Sequence, residues 1–284
     1  MAGRMKKNIS KETEDKIKNL KHIVFDLDGT LYKGKTLFPT TIPLLNLLDS
    51  LNISYTFITN NSSLDAKGYV KKLNKLGIPA SIDNVFTSGL ATISWLKKNM
   101  PYAKKLFILG TRALRKEFSE NGFVITGEDP ESPPDAVIVG FDKELYYGKL
   151  CMAAWWISQG KPYIATHPDR MCPTDEKIWL VDCGAFIKCL EESTGIRPYA
   201  VLGKPSPSMI TGAIDKLNIK KTQTAMIGDR LYTDMKMAKT TGVLSVLVLT
   251  GETTEEMLEK SQIKPDIVCS DLNEFGELIK ELRS

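Results

Sequence analysis

Asp26 and Asp28 stand one residue apart in Val24-Phe25-Asp26-Leu27-Asp28-Gly29-Thr30, at the end of a short apolar run and directly before a glycine. Two carboxylates this close repel unless a divalent cation lies between them, and an all-oxygen ligand set suits Mg²⁺. An Asp-Gly turn between strands would use the same letters without any ion. Three further segments weigh against that plainer reading. Gly228-Asp229-Arg230-Leu231-Tyr232-Thr233-Asp234 holds a second acidic pair, spaced so that Asp229 and Asp234 can both reach a cation from one tight loop. Thr59-Asn60-Asn61-Ser62 offers short hydroxyl and amide donors just before a helix start, suited to phosphate oxygens, although alone it would be an ordinary helix cap. Gly203-Lys204-Pro205 places a lysine in a turn, where it can serve phosphate as a point charge; by itself it is a turn with a solvated lysine. Carboxylates for a cation, donors for phosphate and one lysine are the parts of a phosphoryl-transfer site.

All four segments end apolar runs. Lys21 to Phe25 is too short for a helix and reads as a buried parallel strand, and Tyr55 to Ile58, Tyr199 to Leu202 and Thr224 to Ile227 read as strands too. Open α/β sheets gather their ligands at the carboxyl ends of such strands, so the four segments converge in type and in placement. Between Thr30 and Thr59 there is room for one helix, patterned by Ile42, Leu44, Leu45, Leu47, Leu48 and Leu51. Between Asn61 and Lys204 there is far more chain than one crossover needs. There, strand-like runs at 106–110, 136–140 and 162–166 alternate with helical patterns at 112–121, 145–159 and 186–194, which predicts an inserted α/β module. The expected division is a core of residues 1–102 and 200–284, with 1–20 an N-terminal extension, and a smaller cap of residues 103–199. The helix from Leu90 to Asn99 is expected in the core.

In this order the DxDGT motif, the Thr-Asn-Asn strand end, Gly-Lys-Pro and GDxxxTD resemble the four motifs of the haloacid dehalogenase-like phosphohydrolases. The resemblance runs from Lys21 nearly to the end of the chain. It implies a Rossmann-like core, a parallel sheet flanked by helices. An α/β cap inserted between the second and third motifs is similar to that of the NagD/4-nitrophenylphosphatase branch. That branch includes phosphatases of nucleotides, pyridoxal phosphate, phosphoglycolate and aryl phosphates. The segment Ala165-Thr166-His167-Pro168-Asp169 also matches, except that many members carry asparagine where His167 stands. By simple counting, Cys172 falls where the animal pyridoxal phosphatases place a substrate-contacting histidine.

The resemblance implies roles. Asp26 would be the nucleophile that forms an aspartyl-phosphate, and Asp28 the acid and base that serves the leaving oxygen and then water. Mg²⁺ would be held by the Asp26 carboxylate, the Asp28 backbone carbonyl and Asp229, with Asp234 supporting it. Thr59, Asn60, Asn61 and Lys204 would bind the phosphate, while the cap loop from His167 to Thr174, with His167 and Cys172 in it, would select the substrate. Two other readings share these letters: a phosphotransferase using the same intermediate, and a non-catalytic protein that binds a phosphorylated ligand. The intact set of Asp26, Asp28, Lys204 and Asp229 argues against the last, which needs no nucleophile and acid together.

The 284 residues, 42% of them hydrophobic and 25% charged, suffice for two domains, and the formal net charge is only +4. The basic stretch Arg4 to Lys21 also carries acids and reads as a solvated extension rather than a nucleic-acid arm. No apolar run suggests a targeting peptide or a membrane span, so a cytoplasmic protein acting on a small phosphorylated metabolite, as monomer or homodimer, is expected. There is no P-loop. The five cysteines show no paired spacing, and with only His22 and His167 available a Cys-His dyad or soft-metal site from His167 and Cys172 finds no further ligands. Trp155 and Trp156 read as packing residues of a cap helix rather than a stacking platform.

Overall fold

The computed structural model describes residues 9–172, 177–215 and 217–283. Residues 1–8 of the expected extension, and Pro173 and Thr174 of the expected specificity loop, lie outside the described residues. In chain order the strands are β1 (His22–Phe25), β2 (Tyr32–Lys33), β3 (Thr36–Leu37), β4 (Ser54–Thr59), β5 (Val85–Thr87), β6 (Lys105–Leu109), β7 (Val124–Ile125), β8 (Ala136–Val139), β9 (Tyr163–Ala165), β10 (Met171–Cys172), β11 (Leu180–Val181), β12 (Ala200–Val201), β13 (Thr224–Gly228), β14 (Leu244–Val248) and β15 (Ile267–Cys269). The chain forms two compact units: Met1–Ile58, Leu73–Val85 and Ile210–Ser284 make the first, Thr59–Lys72 and Phe86–Met209 the second.

In the first unit β1 lies at the centre of a six-stranded sheet of order β15-β14-β13-β1-β4-β5. It pairs in parallel with β13 on one side and β4 on the other, so that Phe25 stands level with Ile227 and with Phe57. All four residues of β1 are buried, which is why Ile23, Val24 and Phe25 are apolar in succession instead of alternating with polar residues. Helix Leu272–Arg283 packs on helix Thr41–Ser50, where Gly276 faces Leu44 and Leu47 without a side chain between them. Arg283 then donates to the carbonyls of Lys18 and Leu20, tying down the end of the N-terminal helix Lys11–Lys18.

His22 opens β1 and is fully buried, its Nδ1 2.8 Å from Ser54 Oγ. Burial lowers its pKa from 6.5 to about 4, because the low-dielectric interior disfavours the imidazolium. A depressed folded-state value means that stability is fully present above pH 6.5 and is lost as the pH falls through 4, since only the unfolded chain can take the proton. The loss from this one group is about 2 kcal/mol by pH 5. Denaturant titrations at pH 7 and pH 5 should therefore show a steeper loss for the parent than for His22→Gln, and parallel losses would refute the assignment.

The second unit has its own parallel sheet, of order β12-β9-β8-β6-β7. Its strands alternate in the faces they bury, as a period of two requires. Leu106 and Ile108 of β6, with Ile138 of β8, pack with Ile93 and Leu96 of helix Ser88–Asn99 and with Leu114 and Phe118 of helix Arg112–Glu120. Phe107 and Leu109, with Val137 and Val139, pack on the other side with Ala153, Trp156 and Ile157 of helix Tyr147–Ser158 and with Phe186 and Leu190 of helix Cys183–Thr194. Trp156 is thus a packing residue, while Trp155 is half-exposed. A short antiparallel pair, β10 with β11, sets Cys172 opposite Leu180. Among the described residues no helix is long and apolar enough to cross a membrane.

Candidate functional site

In the first unit, Asp26 follows β1 and Asp229 follows β13, two adjacent parallel strands locked in register by the Asp26 N–H donating to Ile227 O at 2.9 Å. Asp234 reaches the same place from a π turn, Leu231–Met235. A turn of this type closes by i→i+5 hydrogen bonds, here the Met235 N–H donating to Arg230 O at 3.1 Å. Gly228 is needed for this return: a Cβ there would lie 2.5 Å from Asp234 Cβ and Cγ. The three acids are buried, and each offers an oxygen within 4.8 Å of the others. Thr30 Oγ1 donates to Asp26 Oδ2 at 3.4 Å, and the Arg230 N–H donates to Asp234 Oδ2 at 3.2 Å.

Backbone crowds Asp229 from two sides. Its Oδ2 accepts the Glu252 N–H at 2.7 Å, and a Cβ on Gly29 or Gly251 would come within 2.4 or 1.9 Å of that oxygen. Its Oδ1 is buried and accepts no hydrogen bond. Burial, followed by repulsion from Asp26 and Asp234, raises the Asp229 pKa from 3.8 to about 8, against the opposing pull of Arg230. Three buried acids with an unsatisfied carboxylate oxygen fit a hard divalent cation with oxygen ligands, which would reverse that repulsion. Asp28 lies apart from these three: it is exposed, and its Oδ1 accepts the Gly34 N–H at 3.2 Å from the β2–β3 hairpin.

In the second unit the remaining motif residues cluster around Asn60. Its Oδ1 accepts the Lys204 N–H at 2.6 Å and its Nδ2 donates to Lys204 O at 3.0 Å, so the side chain clamps the lysine backbone on both sides. The same Nδ2 donates to the Asp169 carboxylate at 3.1 and 3.2 Å. Gly203 has φ +70°, and a Cβ there would lie 2.7 Å from both Asn60 Oδ1 and His167 Cβ, so glycine is required for the turn to seat. Ser88 Oγ donates to Asn60 O at 2.6 Å. Thr59 Oγ1 accepts the Asn61 N–H at 3.2 Å, and Asn61 Nδ2 donates to Cys172 Sγ at 3.6 Å. Cys172 is half-buried, whereas His167 is fully buried.

Sequence reasoning passed over Asp169 and Asp182, which flank His167, and Glu117. Glu117 is buried, accepts from Ala66 N at 2.8 Å and Thr87 Oγ1 at 3.1 Å, and has its pKa raised to about 7, chiefly by burial. Only Asp169 carried a local signal, as the last residue of the Thr-His-Pro-Asp segment.

Residues 23–124 match the family model for haloacid dehalogenase-like hydrolases, and residues 201–275 match a second, HAD-hydrolase-like model. The chain is 34% identical over 266 residues to the acid sugar phosphatase of Staphylococcus saprophyticus, covering 94% of this chain and 99% of that one. The 4-nitrophenylphosphatase of Thermotoga maritima has the same fold with a TM-score of 0.87 at 40% identity, over 92% of this chain and 98% of the other. A glycerol phosphate phosphatase of Mycobacterium tuberculosis, solved in complex with magnesium, superposes with a TM-score of 0.85 at 28% identity, over 94% and 79% of the two chains. With its motifs, two parallel sheets and buried acids accounted for in this way, the chain belongs to the haloacid dehalogenase-like hydrolases, as a phosphatase of the NagD/4-nitrophenylphosphatase branch.

Proposed function

We infer that the protein is a Mg²⁺-dependent phosphomonoesterase acting on small phosphorylated metabolites, among which sugar phosphates, glycerol phosphate, nucleotides, phosphoglycolate-like compounds and aryl phosphates are the classes to try. The observation that carries this reading is the buried group of Asp26, Asp229 and Asp234 with its unsatisfied Asp229 Oδ1. The similar acid sugar phosphatase, 4-nitrophenylphosphatase and glycerol phosphate phosphatase support sugar, aryl and glycerol phosphates among these classes.

In this reading the Asp26 carboxylate attacks phosphorus in line with the departing alcohol oxygen and forms an aspartyl-phosphate, splitting one hard hydrolysis into two easier steps. Asp28 protonates the leaving oxygen, and then takes a proton from the water that attacks the aspartyl-phosphate. The Asp26 carboxylate, the Asp28 carbonyl and Asp229, with Asp234 in support, would hold Mg²⁺, which would supply charge neutralisation for the phosphoryl oxygens. Lys204 and Thr59 match charge growing on the same oxygens. Asn60 contributes through the lysine backbone it clamps, and Asn61 through the loop it shapes. We assign substrate selection to the module of residues 103–199, with Cys172 facing the leaving group. Full burial of His167 means that any influence it has on the substrate is indirect.

Release of inorganic phosphate from a panel of phosphorylated metabolites by the purified protein tests the reading, and a panel without a single turnover would end it. The role of Asp28 has its own test. General acid catalysis contributes about 10²–10⁴-fold, and it matters least where the leaving group is already stable as an anion. Asp28→Asn should therefore slow hydrolysis of an alkyl phosphate about a hundredfold while slowing 4-nitrophenyl phosphate by about tenfold or less. Equal losses on the two esters would remove Asp28 from the acid role.

A further inference from the structure

His167 follows β9 and sits between two acids. Its Nδ1 lies 3.8 Å from Asp169 Oδ2 and its Nε2 lies 3.5 Å from Asp182 Oδ1. Both ring nitrogens are buried and neither makes a hydrogen bond. A buried polar atom without a partner is costly, and a residue with two of them calls for a reason. Each acid belongs to a different piece of machinery. Asp169 holds Asn60 Nδ2, and Asn60 clamps the backbone of Lys204 from both sides. Asp182 accepts the Cys183 N–H at 2.6 Å at the start of helix Cys183–Thr194, and its own N–H donates to Arg170 O at 2.9 Å, next to the β10–β11 pair that carries Cys172. Movement of either acid by about 1 Å brings it into hydrogen-bond range of the ring.

We propose that His167 is a positioning residue that joins Asp169 to Asp182, holding the Asn60–Lys204 clamp and the Cys172 hairpin in one arrangement. The residue type fits this task. With an N–H on each nitrogen, an imidazole ring donates from both sides and can meet two carboxylates at once, whereas an asparagine side chain has both of its polar atoms at one end and meets one. Tight seating of Gly203 against His167 Cβ transmits the position of the ring to the Lys204 turn. Because the clamp serves the phosphoryl group that every substrate shares, His167 acts on phosphate affinity in general rather than on the ranking of leaving groups. The proposal rests on the phosphatase reading, from which Lys204 takes its role.

A double-mutant cycle decides it. His167→Ala, Asp169→Asn and the double variant are compared with the parent by the inhibition constant of inorganic phosphate and by kcat and KM on 4-nitrophenyl phosphate and one alkyl phosphate. Each single change is expected to weaken phosphate inhibition and raise KM about five- to tenfold on both esters, with kcat altered less than about threefold. The double variant should be no worse than the weaker-binding single, because both changes break one connection. His167→Asn should resemble His167→Ala, and it carries the cycle if the alanine variant does not fold. Losses that multiply in the double variant, an unchanged phosphate inhibition constant, or a shift confined to one ester would overturn the proposal. A parent that hydrolyses no phosphate ester overturns the phosphatase reading and this proposal together, whereas an active parent with multiplying losses overturns this proposal alone.

Discussion

Asp26→Asn is expected to lose turnover by at least about a thousandfold on every phosphate ester, because the amide cannot attack phosphorus and no other group can form the acyl phosphate in its place. The fold should survive. Asp26 is held by the Thr30 hydroxyl and by its own N–H donating to Ile227 O, and an asparagine keeps its size and that backbone bond. Removing the Asp26 charge also relieves its repulsion with Asp229. Circular dichroism and thermal unfolding of the variant should match the parent in the presence of chelator, while single-turnover experiments with a phosphate ester trap no phosphorylated protein. Residual turnover within about tenfold of the parent would move the nucleophile elsewhere.

Exhaustive chelation is the second large effect. Asp26, Asp229 and Asp234 bring three carboxyl groups into one buried space, and without a cation they cannot polarise a phosphoryl group. EDTA treatment followed by desalting should lower turnover by about a hundredfold or more, and added Mg²⁺ should restore it. Ca²⁺ should restore little, since it is larger and coordinates loosely where in-line attack needs compact octahedral geometry. Binding to the folded state alone also stabilises it, by about 2.7 kcal/mol at a hundredfold excess over Kd, so Mg²⁺ should raise the melting temperature of the chelated protein. Full activity after chelation would exclude the metal from the mechanism.

Much of this was legible in the chain. The apolar runs before the four motifs mark strands, and β1, β4, β12 and β13 lie where those runs stand, although β12 is a partly exposed edge strand rather than one buried on both faces. The inserted sheet was equally plain, because Leu106 to Gly110 and Ala136 to Gly140 are buried on two faces and so are apolar throughout. The small pairs β2–β3 and β10–β11 were not visible, since two residues per strand are too few to show an alternation. The spacing of Asp229 and Asp234 pointed to one cation, but the π turn from Leu231 to Met235 that brings Asp234 to the buried space was not visible in it. The setting of His167 was hidden for a similar reason: Asp182 is fifteen positions away, and only the fold brings it to the ring.

That π turn makes the length of the loop a design variable in its own right. Tyr232 is half-exposed, so a library that varies the identity of this position has room to work in. A library that varies length does not. Deleting one residue between Asp229 and Asp234 would break the i→i+5 closure of the turn and carry the later acid away from its two partners even if every remaining letter were kept. Among engineered or naturally drifting descendants of this chain, insertions and deletions should accumulate readily elsewhere on the surface and be purged from 230–233, so this stretch would serve as a fixed ruler for aligning them.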